Sequence, residues 1–405
     1  MIKKIKIYIT LAAVAFSSVS CLDKYPEDAI PEGDAIRTVE EANQAVIGIY
    51  AYMKNPNLYS GLLTLLPDLQ ADLAYAVEGY TNTYGNIWRW DILPTNTEVE
   101  AVYGTLNALI GKCNFLLERI AILEQEVDDE DYEKLQQFKG EALFARALAY
   151  SDLIKMYCKA YDPATAANEL GVVLVSSYSN TGTLKRASLK DSYQFVLDDL
   201  AQSATCLEPD ENENDESYYD TPYFTIYAVN ALYARVYLNM QEWDKAIEYA
   251  SKVIDSRKFK LSSTTEMIDS ETSYYQYMWQ YDHSTETIWK VGFTTTSYGG
   301  SLGQIFFNYD FNSFKPDYVP AEWVLNLYAD TDLRATTFFQ SYRTGYEHGL
   351  QWPLLAKYFG NQEFYEQNIL HVTMPKVFRL SEQYLIRAEA YCQKSNPEYG
   401  KGASD

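Results

Sequence analysis

Three short stretches that share one pattern of small residues around an arginine constrain this chain more than any other feature. Ala145-Arg146-Ala147-Leu148-Ala149-Tyr150, Ala234-Arg235-Val236-Tyr237-Leu238-Asn239 and Ile386-Arg387-Ala388-Glu389-Ala390-Tyr391 carry the arginine in the same register. Small side chains let helices approach closely while aromatics fill the gaps, so the pattern predicts stacked helix pairs rather than a sheet-built core. The second copy continues through Trp243-Asp244-Lys245-Ala246-Ile247-Glu248-Tyr249-Ala250, which sets Ala234, Tyr237 and Ala246 at the spacing of a tetratricopeptide pair. The repeats are degenerate, and only that copy matches the tetratricopeptide spacing by itself.

Periodicity elsewhere supports a mainly helical chain. Thr38-Val39-Glu40-Glu41 has the form of a capping box, and apolar residues at three- and four-residue steps carry the helix to about Lys54. Further helices are predicted over Glu98–Leu123, from the acidic run Asp128–Glu133 to about Cys158, and over Leu189–Leu207, Tyr223–Met240, Glu242–Ser256, Ala321–Tyr328 and Ser381–Gln393. Between Arg257 and Pro320 the helical period lapses, with one short strand expected at Thr287–Phe293. Glu208–Ser217 is acidic and reads as a solvated loop.

The N-terminus reads as an export signal. Lys3, Lys4 and Lys6 precede the apolar run Ile7–Phe16, and Ser17, Ser18 and Ser20 lead into Cys21. That is the form of a lipoprotein signal over residues 1–20, with Cys21 acylated at the mature N-terminus. The polar stretch to Arg37 (residues 21–37) becomes the anchor linker. The formal charge of -23 argues against a nucleic-acid partner and against peripheral adhesion to anionic lipid, so membrane attachment falls to the acyl chains. Three scattered histidines and five cysteines without a Cys-x-x-Cys pair give no metal-ligand spacing, no Ser-His-Asp signature and no cofactor motif. A disulfide among Cys113, Cys158, Cys206 and Cys392 stays open, because spacing does not choose a pair.

Taken in order, these segments resemble the SusD/RagB outer-membrane lipoproteins of Bacteroidetes. The match runs from Val102-Tyr103 through Asn107 and Asn114 to the helix Glu141–Leu153. It continues through Gly171–Val175, Asp198-Asp199-Leu200 and the pair Ala231–Ile254 to Tyr328, Asp330, Asp332 and Arg334, and ends with Phe378–Glu382 and Arg387-Ala388-Glu389-Ala390. The resemblance implies a mainly α, SusD-like fold over residues 38–405, with degenerate tetratricopeptide pairs beside a loop-rich, short-stranded ligand-binding portion. It implies a non-catalytic lipoprotein of the outer membrane, exposed at the cell surface, that captures glycan and delivers it to a SusC-type TonB-dependent barrel. A RagB-like branch takes peptide instead, and a purely structural helical-repeat adaptor is the other alternative. Family sequences run on beyond the Ala-Glu-Ala helix, so a C-terminally truncated domain is expected.

Ligand contacts vary within that family, so the candidate site rests on side-chain chemistry. Sugars present flat C–H faces with a rim of hydroxyls and call for exposed aromatic plates beside polar groups. Thirty-seven tyrosines make aromatic plates abundant, and many lie in polar clusters where core packing explains them less easily. One cluster, preceded by Asp68 and Asp72, contains Tyr80, Tyr84, Trp88, Arg89 and Trp90; the other contains Tyr275, Tyr277, Trp279 and Tyr281. The competing reading makes Trp88 and Trp90 one face of a half-buried extended segment. Trp243, Trp289 and Trp323 fall in helix or strand patterns and are expected to be structural. The pair Asp68 and Asp72 could in principle serve a glycosidase, but no other catalytic signature accompanies it.

Overall fold

A computed structural model describes residues 35–178, 182–207, 219–309, 311–329 and 331–405. Cys21, most of the linker, the Glu208–Ser217 run, Asp330 and the side chain of Tyr80 lie outside the described residues. The longer helices are α1 (Val39–Met53), α2 (Leu62–Gln70), α3 (Thr97–Leu123), α4 (Asp129–Tyr157), α5 (Leu189–Cys206), α6 (Ile226–Asn239), α7 (Trp243–Asp255), α8 (Tyr274–Gln280) and α9 (Leu380–Gln393). Among the described residues no helix is long and apolar enough to cross a membrane.

Helix α1 starts at the capping box: Thr38 Oγ1 accepts from Glu41 N at 3.2 Å, and Glu41 Oε2 accepts from Thr38 N at 3.1 Å. A short turn then separates α3 from α4, which makes them close neighbours, and α4 packs against α1, α3 and α5. Every residue of α4 from Gly140 to Ile154 is buried. A helix covered all round is a core helix, and its polar side chains must find partners inside. They do: Glu141 accepts from Tyr50 Oη at 2.7 Å, Arg146 pairs with Asp199, and Asp152 accepts from Tyr59 Oη. The tetratricopeptide pair is α6 and α7, and α9 closes on it through Ala234, Ala246, Ala250, Ile386 and Ala390.

Among the described residues the strands form four separate antiparallel pairs. They are β1 (Ala74–Ala76) with β5 (Tyr318–Pro320), β2 (Leu170–Val173) with β3 (Arg186–Ser188), β4 (Thr287–Lys290) with β8 (Lys376–Arg379), and β6 (Phe339–Arg343) with β7 (Gln351–Leu355). Two local expectations fail. The expected helix Ala321–Tyr328 closes only the turn Glu322–Leu325, and the aperiodic stretch after Arg257 contains α8. That helix is only seven residues long, too short for apolar periodicity to reveal, and its start is fixed by a second capping box, Ser273 with Gln276.

Candidate functional site

The first aromatic cluster is built around the corner between α2 and β1. Asp72 takes a left-handed φ of 58° and turns the chain into β1, where it is exposed. The chain returns through the turn Gly79–Thr81, which holds Tyr80, to a single helical turn, Gly85–Trp88. Tyr84 and Trp90 bracket that turn at φ 63° and 61°, so Trp88 and Trp90 do not share the face of an extended strand. Instead both indoles are pinned to the corner: Trp88 Nε1 donates to Ala74 O at 2.8 Å and Trp90 Nε1 to Gln70 O at 3.1 Å. Trp88 is half-buried, with Tyr75 edge-on at 6.5 Å, whereas Trp90 is 63% exposed. Arg89 is held beside them by Asn86 Oδ1 at 2.8 Å and by Asp91 at 3.9 Å. Tyr84 is half-buried, and burial raises its phenol pKa.

Trp323, expected to be structural, is 50% exposed. It stands just past β5, where Ala321 N donates to Leu73 O at 3.0 Å, so it ends the same strand pair that carries Tyr75. The helical face that would have buried it does not form.

The second cluster is divided by helical spacing. Tyr277 and Tyr281 stack at 4.6 Å, with His283 continuing at 6.5 Å, while Tyr275 and Trp279 meet edge-on at 6.4 Å. Trp279 reaches a cavity of about 450 Å³ lined by Asp68 of α2, Asp152 of α4, Arg235 of α6 and a cationic set from the C-terminal third. Around its ring stand Lys357 Nζ at 5.1 Å, Lys376 Nζ at 5.0 Å and the Arg379 guanidinium at 5.2 Å. A π face attracts cations, and burial strengthens that attraction. Lys376 is matched by Asp282 at 2.5 Å, Arg379 by Glu286 at 2.9 Å and Arg235 by Glu382 at 2.6 Å.

Lys357 has no such carboxylate within ion-pair distance among the described residues, and burial lowers its pKa to about 8 although the charge of Asp68 pulls the other way. Burial likewise raises the carboxyl of Asp68, against the Lys357 charge and a hydrogen bond from Tyr358 Oη at 3.0 Å. The result is a mixed-charge hollow able to exchange hydrogen bonds with a polyhydroxylated ligand. Asp72 does not line it, so the two acids of the sequence pair face different surroundings. Trp90 does not line it either.

Sequence reading missed Lys357, Lys376 and Arg379 because the pairing of β4 with β8 and the chain after β7 bring them to Trp279 from far along the sequence. The local signal at Lys376-Val377-Phe378-Arg379 is a short strand-forming apolar pair between two cations, which leaves its partner undefined. Trp279 also borders a second cleft, of about 270 Å³.

Stacked helix pairs with an irregular side of short strand pairs, exposed aromatics and polar hollows define a helical-repeat protein with an irregular, loop-built side. Residues 22–238, more than half of the chain, match the SusD-like family described as starch-binding and associating with the outer membrane, and the chain belongs to that family. SusD-like protein P2 of Formosa agariphila is 23% identical over 257 residues, which are 63% of this chain and 46% of that protein; the match thus spans about half the length of the curated relative. The fold is similar to that of a SusD superfamily protein from Bacteroides thetaiotaomicron, with TM-score 0.75, 22% identity, and coverage of 91% of this chain and 78% of that one. Surface glycan-binding protein A from Bacteroides uniformis is similar at TM-score 0.69 and 16% identity, covering 91% of this chain and 79% of that one.

Proposed function

We propose that this protein is a non-catalytic receptor that binds glycan at the cell surface, is anchored in the outer membrane through acylated Cys21, and hands its ligand to a SusC-type TonB-dependent barrel. One observation carries the glycan reading. The Trp90 indole is fixed by its own N–H to Gln70 O yet leaves most of its surface open, with Tyr75 on the adjoining strand and Arg89 and Asn86 as a polar rim. A plate held in advance loses little entropy on stacking against a sugar face. The family description and the likeness to a surface glycan-binding protein support the same ligand class.

Native affinity electrophoresis through gels containing single polysaccharides tests it. Migration should be retarded by at least one neutral or acidic polysaccharide, with Trp90→Ala restoring mobility and the glycan recovered at its original length. Retardation by none of them, with binding to a peptide library instead, would transfer the reading to the peptide branch.

A further inference from the structure

The cleft on the other side of Trp279 is chemically unlike the charged hollow. Of all the residues around the two cavities, Trp279 alone borders both. The smaller cleft is walled by four glutamines, Gln276, Gln280, Gln340 and Gln362, with Tyr342, Phe359 and Tyr365 as its aromatic surface. Three kinds of local period put them together. Gln276 and Gln280 lie four apart on α8, Gln340 and Tyr342 lie two apart on β6, and Gln362 and Tyr365 lie three apart on one helical turn, Gln362–Tyr365. Each spacing sends both members of a pair to the same side of their element.

The amides are only partly engaged. Gln276 Oε1 accepts from Ser273 N and Oγ at 3.0 Å, and Gln340 Oε1 accepts from Tyr342 Oη at 2.9 Å. The side-chain NH2 groups of all four have no protein acceptor among the described residues. The aromatic wall is continuous: Tyr342 stacks on Phe359 at 5.9 Å and 10°, and Phe359 meets Tyr365 at 5.1 Å.

We infer that this cleft is a second binding site, distinct from the Trp90 platform, and that it takes one uncharged pyranose unit. Its 270 Å³ equals about nine waters at ~30 Å³ each, the room of a single sugar ring with its hydroxyls. Amide groups both donate and accept, which suits hydroxyls that do the same, while ring C–H faces match the Tyr342–Phe359–Tyr365 wall. No lysine, arginine, aspartate, glutamate or histidine lines it among the described residues, and burial holds the phenols of Tyr342 and Tyr365 protonated, so a carboxylate or sulfate entering would lose hydration without a countercharge. The site thus selects neutral sugars, and it rests on the glycan reading for its ligand class.

The test is saturation-transfer NMR on the whole chain with methyl glucopyranoside, galactopyranoside and mannopyranoside, the corresponding methyl uronates, and trialanine. At least one neutral pyranoside should bind with Kd on the order of millimolar. Gln280→Ala/Gln362→Ala should weaken it at least tenfold. Gln340→Glu keeps the side-chain shape, replaces an NH2 donor with a charge, and should weaken it at least fivefold with the urea midpoint as the check on folding. The inference is overturned if no neutral pyranoside binds at 50 mM, if the uronates or trialanine bind more tightly, or if the glutamine variants leave binding intact. Retention on a polysaccharide gel without any pyranoside signal would sink this site and leave the glycan reading standing. Pyranoside binding without gel retention would leave this site standing and sink the Trp90 platform.

Discussion

Arg146 holds Asp199 by two parallel bonds, Nε to Oδ2 at 2.8 Å and Nη2 to Oδ1 at 2.6 Å, with both side chains almost wholly buried between α4 and α5. Arg235, in the same register of its repeat, grips Glu382 of α9 the same way at 2.6 and 2.8 Å. Arg387, in the third copy, takes Asp405 at 2.7 and 2.6 Å. The recurring arginine is therefore a clasp that joins one helix to an acid elsewhere in the chain. A planar guanidinium matches a carboxylate in this two-pronged geometry, and lysine does not.

Breaking the first clasp from one side should be expensive. Asp199→Asn leaves a buried guanidinium without its charge partner and should lower stability by about 3–5 kcal/mol, whereas Arg146→Met/Asp199→Leu removes both charges and should cost clearly less than the two single changes added together. Urea denaturation of the four proteins in the cycle measures the coupling. Additive losses would show that the pair is not an energetic unit.

The tryptophans separate structure from binding. Trp289 is wholly buried, donates its Nε1 to Pro222 O at 2.9 Å, and packs against Phe224 at 4.9 Å. Trp289→Ala should cost about 3–5 kcal/mol by leaving a cavity. Trp90→Ala, at an exposed position, should change stability by no more than about 0.5 kcal/mol while reducing glycan retention. Thermal melts together with affinity gels distinguish the two effects, and a Trp90→Ala protein that unfolds would return that residue to the core.

This division also shows what the sequence made legible. The Ala145–Tyr150 pattern announced a close-packed helix, and α4 is that helix; the Thr38 capping box and the pair α6–α7 follow from local chemistry alone. The candidate site was legible only in its aromatic half. Trp90 could be nominated because a tryptophan among Thr, Asn and Gly is locally odd, and Trp279 because it sits among tyrosines. Its surroundings could not, since Lys357, Lys376 and Arg379 reach Trp279 only through the strand pairing of Thr287 with Arg379 and the chain after β7. The reading of Trp323 failed for a related reason: a helical pattern of eight residues does not ensure that more than one turn forms, because nucleation of so short a helix depends on its tertiary neighbours.

Lys357 gives the charged cavity a pH signature. Burial lowers its pKa from an ordinary 10.5 to about 8 in the folded protein, so the protonated form is disfavoured by folding. Below pH 8 both states carry the proton and the full cost is present. Between about pH 8 and 10.5 the native state loses its proton first, the unfolded chain binds more protons, and stability rises. Lys357→Met should therefore be more stable than the parent at pH 7 by up to about 3 kcal/mol, with the gap narrowing as pH approaches 10. Urea midpoints at pH 7, 8.5 and 9.5 test this, and a gap that is constant or widens with pH contradicts it.

A pair of glycines gives substitutions of opposite sign. Gly360 borders the uncharged cleft at φ 123°, a conformation that side chains rarely adopt, and an added Cβ would stand 3.0 Å from the backbone of His371. Its neighbour Asn361 is wholly buried and donates to Tyr281 O at 2.8 Å and Asp282 Oδ2 at 3.0 Å, so the segment cannot shift freely to relieve the clash. Gly360→Ala should cost about 1–3 kcal/mol and, by displacing Gln362 and Tyr365, weaken pyranoside binding as well. Gly104 lies on the exposed side of α3, and a methyl group added there would meet nothing within 4 Å. There alanine removes freedom from the unfolded chain and fits the helix, so Gly104→Ala should stabilise by about 0.5–1 kcal/mol with binding unchanged. Equal effects at the two positions would mean that the backbone at Gly360 is not what shapes the cleft.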